Sequence, residues 1–190
     1  MTVALVVTDM LNRYDHEDAA PLMGSVRAAL PGICRLVEAA REREALIVYV
    51  NDDHGDWSAA RTELVERALR GPDPSLVEPI VPGADLPFVV KARHSVFYQT
   101  QLDYLLRSQD VDRVVLAGQV TEQCILYSAL DAYVRHYEVV VASDAVAHIH
   151  ADLADAALSH DGGQHAGDRG AGHGRRLVKH QPNAAQYLPQ

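Results

Sequence analysis

Short apolar runs punctuate the chain, and helix-length segments of mixed polarity fill the gaps. Ala4-Leu5-Val6-Val7, Ala45-Leu46-Ile47-Val48-Tyr49-Val50, Phe88-Val89-Val90, Val114-Val115-Leu116-Ala117 and Val139-Val140-Val141-Ala142 each read as a strand. None of them alternates apolar with polar residues. Continuous apolar runs of this length fit strands covered on both faces, the habit of parallel sheets. Helices are expected near residues 31–44, 58–70, 100–109 and 121–137. In the last of these, Ile125, Ser128, Ala129, Ala132 and Tyr133 fall at i, i+3, i+4, i+7 and i+8 and form one stripe. The alternation predicts an α/β fold: three layers, α/β/α, around a central parallel sheet of five to six strands with Rossmann-like topology.

Two stretches break the rhythm. Residues 71–87 hold Pro72, Pro74, Pro79, Pro82 and Pro87, too many for a helix, and predict a long ordered connection. A helix begins near Asp152 with Leu153, Ala156 and Ala157, but residues 161–174 then carry six glycines in fourteen positions. The chain therefore divides into a domain over residues 1–159 and an atypical Gly/His/Arg-rich tail over 160–190, expected to be loosely packed where a further strand belongs. His160, His165, His173 and His180 in that tail match no standard metal spacing.

Composition narrows the class. A length of 190 residues suits one domain, and 48% apolar with 23% charged residues is the balance of an ordinary globular protein. No apolar run reaches the length of a membrane span, and the stretch from Met1 to Asp9 lacks the basic start of a leader peptide, so a cytoplasmic protein is expected. A formal charge of −9 argues against a nucleic-acid or anionic-membrane partner. The acidity is concentrated in the domain, because Arg169, Arg175, Arg176 and Lys179 outnumber Asp161 and Asp168 in the tail. With only Cys34 and Cys124, neither a disulfide framework nor a Cys-rich zinc site is available.

The chemistry concentrates where the strands end. Ligands of open parallel sheets bind beyond the carboxyl ends of the strands. Asp9 follows the first strand, Lys91 the third, and after the fourth comes Gly118, then a helix with Cys124 in its first turn. An acid, an amine and a thiol thus share one rim. Thr121 reads as the N-cap of the helix. A helix N-terminus and a nearby ammonium both lower a thiol pKa, so Cys124 is expected to be activated by its helix and by Lys91. Asp9 could act as general base and then general acid, and unpaired amides at the helix start could hold an oxyanion. Each residue also has an ordinary reading: strand-end aspartates cap helices, lysines extend into solvent, and buried cysteines are usually inert, as expected of Cys34. Their convergence favours chemistry. Rival motifs fail. No glycine-rich phosphate loop follows any strand, Leu11 stands where an aspartyl-phosphate phosphatase has a second Asp, and Leu130 where a cysteine phosphatase has an Arg. There is no G-x-C-x-G elbow either.

Three segments carry a family likeness. Val6-Val7-Thr8-Asp9-Met10, Val90-Lys91-Ala92-Arg93-His94-Ser95-Val96-Phe97 and Ala117-Gly118-Gln119-Val120-Thr121-Glu122-Gln123-Cys124 resemble the signatures of the isochorismatase-like cysteine hydrolases. Asp131-Ala132-Tyr133 and Val139-Val140-Val141-Ala142-Ser143-Asp144-Ala145 continue the likeness, which covers about residues 3–158. The resemblance implies a catalytic triad: Cys124 as nucleophile, Asp9 as proton shuttle, Lys91 as support for the thiolate. It also implies a cis peptide at Gln119–Val120 and an oxyanion hole made by the backbone N–H groups of Val120 and Cys124.

Members of that family hydrolyse amide or related C–N bonds of small molecules through a thioester. They include nicotinamidases, carbamoylsarcosine amidohydrolases, ureidoacrylate hydrolases and a streptothricin lactam hydrolase. True isochorismatases cleave a vinyl ether and lack the cysteine, so Cys124 favours C–N hydrolysis. Ether cleavage, and a catalytically silent oligomeric scaffold of the same fold, stand as alternatives. Family habit also implies a homo-oligomer and a small-molecule substrate.

Nicotinamidases bind a metal through Asp-x-His and a further His. Here Asp52 and His54 supply the first pair, but no histidine occurs between 55 and 93, so neither metal nor other cofactor is expected. Asn12, Trp57, Phe97, Tyr98 and Tyr127 are expected at the pocket mouth, where aromatic rings suit a planar or partly apolar substrate.

Overall fold

The apolar runs become six parallel strands of one sheet in the computed structural model, which describes residues 1–160 and 178–189. In chain order the elements are β1 (Thr2–Thr8), α1 (Ala19–Glu42), β2 (Leu46–Asp52), α2 (Arg61–Leu69), β3 (Phe88–Lys91), α3 (Leu102–Ser108), β4 (Val111–Gln119), α4 (Leu126–Val134), β5 (Glu138–Ala147), α5 (Ala151–His160) and β6 (Val178–Gln181). A π-helical turn over Thr121–Ile125 leads into α4. The sheet order is β3-β2-β1-β4-β5-β6. The chain winds one way from β1 and the other way from β4, so these two strands flank the switch point at which a crevice opens.

The absence of alternation in the strands has a direct cause. Val3, Leu5 and Val7 of β1 enter one core with α1 and Leu64 and Ala68 of α2, while Ala4 and Val6 enter a second core with Leu102 and Leu106 of α3 and Ala129 and Ala132 of α4. The same split divides Ile47 and Tyr49 from Val48 and Val50 in β2, and Val140 and Ala142 from Val139 and Val141 in β5. Both faces of every central strand are covered, which is the three-layer arrangement expected from the sequence.

The helix expected over residues 31–44 is longer at its start. It begins at Ala19 and runs through Pro31 to Glu42. Pro21 falls in the first turn, where no backbone N–H is needed. An interior proline costs about 3 kcal/mol, but Leu22, Val26, Ala29, Ile33, Leu36, Val37 and Ala40 are buried on both sides of Pro31 and hold the helix together. Gly32 lets α1 approach β5, since a Cβ there would lie 2.0 Å from the Asp144 carbonyl oxygen.

The end of the chain also departs from expectation. Residues 161–177, which carry all six glycines of the tail, lie outside the described residues. Beyond them β6 pairs with β5 from Val139↔Val178 to Ala142↔Gln181, supplying the strand the sequence pattern did not show. Ala184 and Leu188 are buried in the first core, and the Arg113 guanidinium donates to the Tyr187 carbonyl at 3.0 Å. Among the described residues, no helix is long and apolar enough to cross a membrane.

Candidate active site

Asp9 leaves β1 with a left-handed backbone (φ 56°), and its N–H donates to the Val50 carbonyl at 2.8 Å. Its carboxylate is held at both oxygens. Oδ1 accepts from the Asp52 N–H at 2.8 Å, and Oδ2 lies 2.9 Å from Lys91 Nζ. Lys91 closes β3 opposite Asp52 in register, and its residue is only 2% exposed. Its ammonium also reaches Asp52 Oδ2 at 3.3 Å and Cys124 Sγ at 3.6 Å. The Cys124 thiol hydrogen-bonds Asp9 in turn. Acid, amine and thiol, widely separated in the chain, therefore meet at the switch point.

Close approach of β1 and β4 makes this possible. Gly118 has φ +117°, and a Cβ there would sit 2.1 Å from the Thr8 carbonyl oxygen. Only glycine fits between the two strand ends. The Gln119–Val120 peptide is cis. Val120 precedes the π-helical turn, accepts at its carbonyl from the N–H groups of Gln123 and Ile125 at 3.1 Å each, and turns its own N–H toward the Cys124 sulfur. Thr121 is not the N-cap. Val120 holds that position, and the Thr121 hydroxyl donates instead to the Ala147 carbonyl at 2.9 Å.

Charge balance sets the protonation states. One ammonium faces two carboxylates and a thiol. Burial alone would pull the Lys91 pKa down, but Asp9, Cys124 and Asp52 together hold the ammonium well above its ordinary range. Burial pushes Asp9 up, against the pull of Lys91 and of the thiol bond. Cys124 is pushed far up by burial and then by the Asp9 charge, and neither Lys91 nor the Val120 N–H offsets this. The helix start and Lys91 predict a lowered thiol pKa; in the structure it is raised instead, because an enclosed sulfur beside a carboxylate is a poor place for a second negative charge. Such a site needs its base, and Asp9 is in place to be one. Cys34 is half-buried, and burial raises its pKa as well, in keeping with an inert thiol.

The expected mouth residues scatter. Half-buried Asn12 does line a cleft of about 580 Å³, together with Leu11, His54, Val120, Gln123 and Ile149. Asp9, Lys91 and Cys124 do not line this cleft, whereas Val120, whose N–H faces the Cys124 sulfur, does. Phe97 is not at the mouth: it is 3% exposed in the second core, stacked on Tyr137 with centroids 5.9 Å apart. Trp57 is 87% exposed and no part of the cleft wall, and Tyr98 is exposed. Tyr127 is exposed too, but it stacks on His94 beside the thiol.

Asp52 and His54 are each bonded to other groups. Asp52 Oδ1 accepts from the His54 N–H at 2.8 Å and Oδ2 faces Lys91, while His54 Nε2 lies 3.1 Å from the Leu11 carbonyl. Among the described residues no third His, Cys, Asp or Glu completes a cluster with them.

Supporting residues escaped the sequence reading. Asn51 clamps the loop after Asp9, accepting from the Leu11 N–H at 2.8 Å and donating to the Leu11 carbonyl at 3.2 Å. Glu122 Oε1 accepts from the N–H groups of Ile149 and His150, pinning the cysteine turn to the loop after β5. A buried polar side chain beside a strand-end acid was the available signal for Asn51; nothing local marked Glu122.

The parallel sheet with this cluster at its switch point defines an isochorismatase-like α/β hydrolase. The isochorismatase domain profile matches residues 3–164, and the chain belongs to that family. It is 31% identical over 144 residues to an uncharacterised isochorismatase family protein, YaaI, of Bacillus subtilis, spanning 76% of this chain and 80% of that one. It is 30% identical over 163 residues to the maleamate amidohydrolase of Pseudomonas putida, spanning 82% and 76%. Among solved structures, an isochorismatase-like hydrolase from Alkaliphilus metalliredigens superposes with a TM-score of 0.74 at 26% identity, covering 98% of this chain and 97% of the other.

Proposed function

We propose that the protein is a cysteine hydrolase that cleaves an amide or related C–N bond of a small molecule through a thioester acyl-enzyme, without a metal. The observation that carries this reading is the buried contact of Cys124 with both Asp9 and Lys91. Asp9 accepts the thiol proton as sulfur attacks the carbonyl carbon. The oxygen, now negative, is received by the backbone N–H groups of Val120 and Cys124. Lys91 holds Asp9 in orientation and supplies positive charge to the sulfur as its proton leaves. Asp9 then passes that proton to the nitrogen, the C–N bond breaks, and the amine departs. Water releases the acid from the thioester.

The amidohydrolase name of the Pseudomonas putida relative supports C–N cleavage, and the cleft size suits a small substrate. Cys124→Ala should abolish ammonia or amine release from a panel of small amides while leaving the thermal midpoint in place. Substantial residual turnover in that variant would remove Cys124 as nucleophile, and pyruvate release from isochorismate without ammonia would mark ether cleavage.

A further inference from the structure

His94 touches the nucleophile from a different environment than the triad does. It lies in the loop that leaves β3 after Lys91, with Nδ1 3.7 Å from Cys124 Sγ. Its ring stacks on Tyr127 of α4, centroids 5.3 Å apart at an interplanar angle of 29°. The loop is braced to the same helix twice more: Ser95 Oγ donates to Asp131 Oδ2 at 2.6 Å, and the Val96 N–H donates to Ser128 Oγ at 3.0 Å. The imidazole is thus held against the helix into which the cysteine turn leads. Cys124 and Tyr127 face it directly, with Asp9 and Lys91 behind the sulfur.

Burial distinguishes the groups around sulfur. Asp9 and Lys91 are buried, whereas His94 is exposed. Hydrolysis of a thioester needs a base that incoming water can reach. Imidazole exchanges protons near neutral pH and is the commonest side chain in that role.

We propose that His94 is the general base of deacylation, which rests on the acyl-enzyme reading above. With Cys124 acylated, the carbonyl carbon is bonded to Sγ, and water held at Nδ1 lies within reach of it. Nδ1 takes a proton from this water, and the water oxygen bonds to the carbon. The C–S bond then breaks, the imidazolium returns its proton to the departing sulfur, and the acid leaves beside a neutral thiol. Asp9 serves the first half of the cycle and His94 the second.

p-Nitrophenyl acetate separates the halves without knowledge of the natural substrate. Nitrophenolate absorbance follows acetylation of Cys124, with Cys124→Ala as the control, and intact mass follows loss of the acetyl group. In His94→Phe and His94→Asn the first stoichiometric release should keep its rate within about twofold, while the acetyl-enzyme lives about 100-fold longer. Phe retains the ring stack and Asn retains hydrogen bonding, so a defect shared by both belongs to the imidazole base, and added imidazole should shorten the lifetime. An unchanged lifetime in both variants overturns the assignment. So does an equal slowing of both phases, which marks a structural role. Absence of an acetyl adduct on Cys124 in the wild type and in both His94 variants overturns the acyl-enzyme reading itself, and this assignment with it.

Discussion

Gln119 Nε2 donates to the backbone carbonyl of Asp9 at 2.5 Å, tying the end of β4 to the end of β1 across the switch point. The same side chain accepts from the Tyr14 hydroxyl at 3.3 Å and is 1% exposed. Gln119→Leu keeps the volume but leaves two buried polar groups unpaired, so a loss of about 1–3 kcal/mol is expected. Urea unfolding measures the loss, and slower acetylation of Cys124 should accompany it because Asp9 is no longer fixed.

Asp9→Asn should separate reactivity from catalysis. The Asp9 charge is the second cause, after burial, of the raised Cys124 pKa. Removing it leaves Lys91 as the dominant neighbour, so the pKa falls, and each unit of fall gives about tenfold more thiolate at neutral pH. Iodoacetamide should then label Cys124 faster than in the wild type, while turnover disappears for want of a proton acceptor. Slower labelling would show that Asp9 does not restrain the thiol.

Lys91→Met acts in the opposite sense. It leaves Asp9 and Asp52 without their shared cation, and removing one partner of a buried ion pair costs about 3–5 kcal/mol. Labelling of Cys124 at neutral pH should fall, and the urea midpoint with it. A variant as stable as the wild type would mean that solvent reaches the carboxylates.

Stability should decline on the alkaline side. Burial raises Tyr14 and Tyr49 from 10.0 to about 12. A folded-state pKa above the unfolded one gives stability that is complete below the unfolded value and lost as pH climbs through the folded value. Cys124 and Lys91 are raised as well and act with the same sign. The urea midpoint should therefore hold up to about pH 9 and fall steeply between about 10 and 12, by on the order of 2 kcal/mol for each tyrosine. A flat profile over that window would contradict the enclosure of these groups.

Zinc should find no stoichiometric site at Asp52 and His54. Titration calorimetry with the metal, and activity after chelator treatment, check this. One equivalent bound and lost in Asp52→Ala would overturn it.

Much of this arrangement was visible in the residues. The strands were legible because both faces are covered, which removes polar positions from their interiors. Asp9 and Lys91 were legible for a related reason: they are the first charges after an apolar run, and in a parallel sheet all run ends point to one rim. What depends on enclosure was not legible. The direction of the Cys124 pKa follows from its burial beside Asp9, neither of which is marked by local sequence at the helix start. Phe97 follows Lys91 closely enough to suggest the mouth, but bonds from Ser95 and Val96 to Asp131 and Ser128 aim it inward. Pro31 read as a helix start, although the buried stripe on either side of it carries α1 through. The return of β6 to the sheet was hidden by the glycines before it.

The sharing of one ammonium among two carboxylates and a thiol also bears on chemical durability. Oxidation of cysteine to sulfenic acid and beyond proceeds from the thiolate. A sulfur whose pKa is raised by burial and by Asp9 should present little of that form to peroxide. Removal of the Asp9 charge should therefore cost durability as well as turnover, with Asp9→Asn losing the sulfur to peroxide sooner than the wild type does.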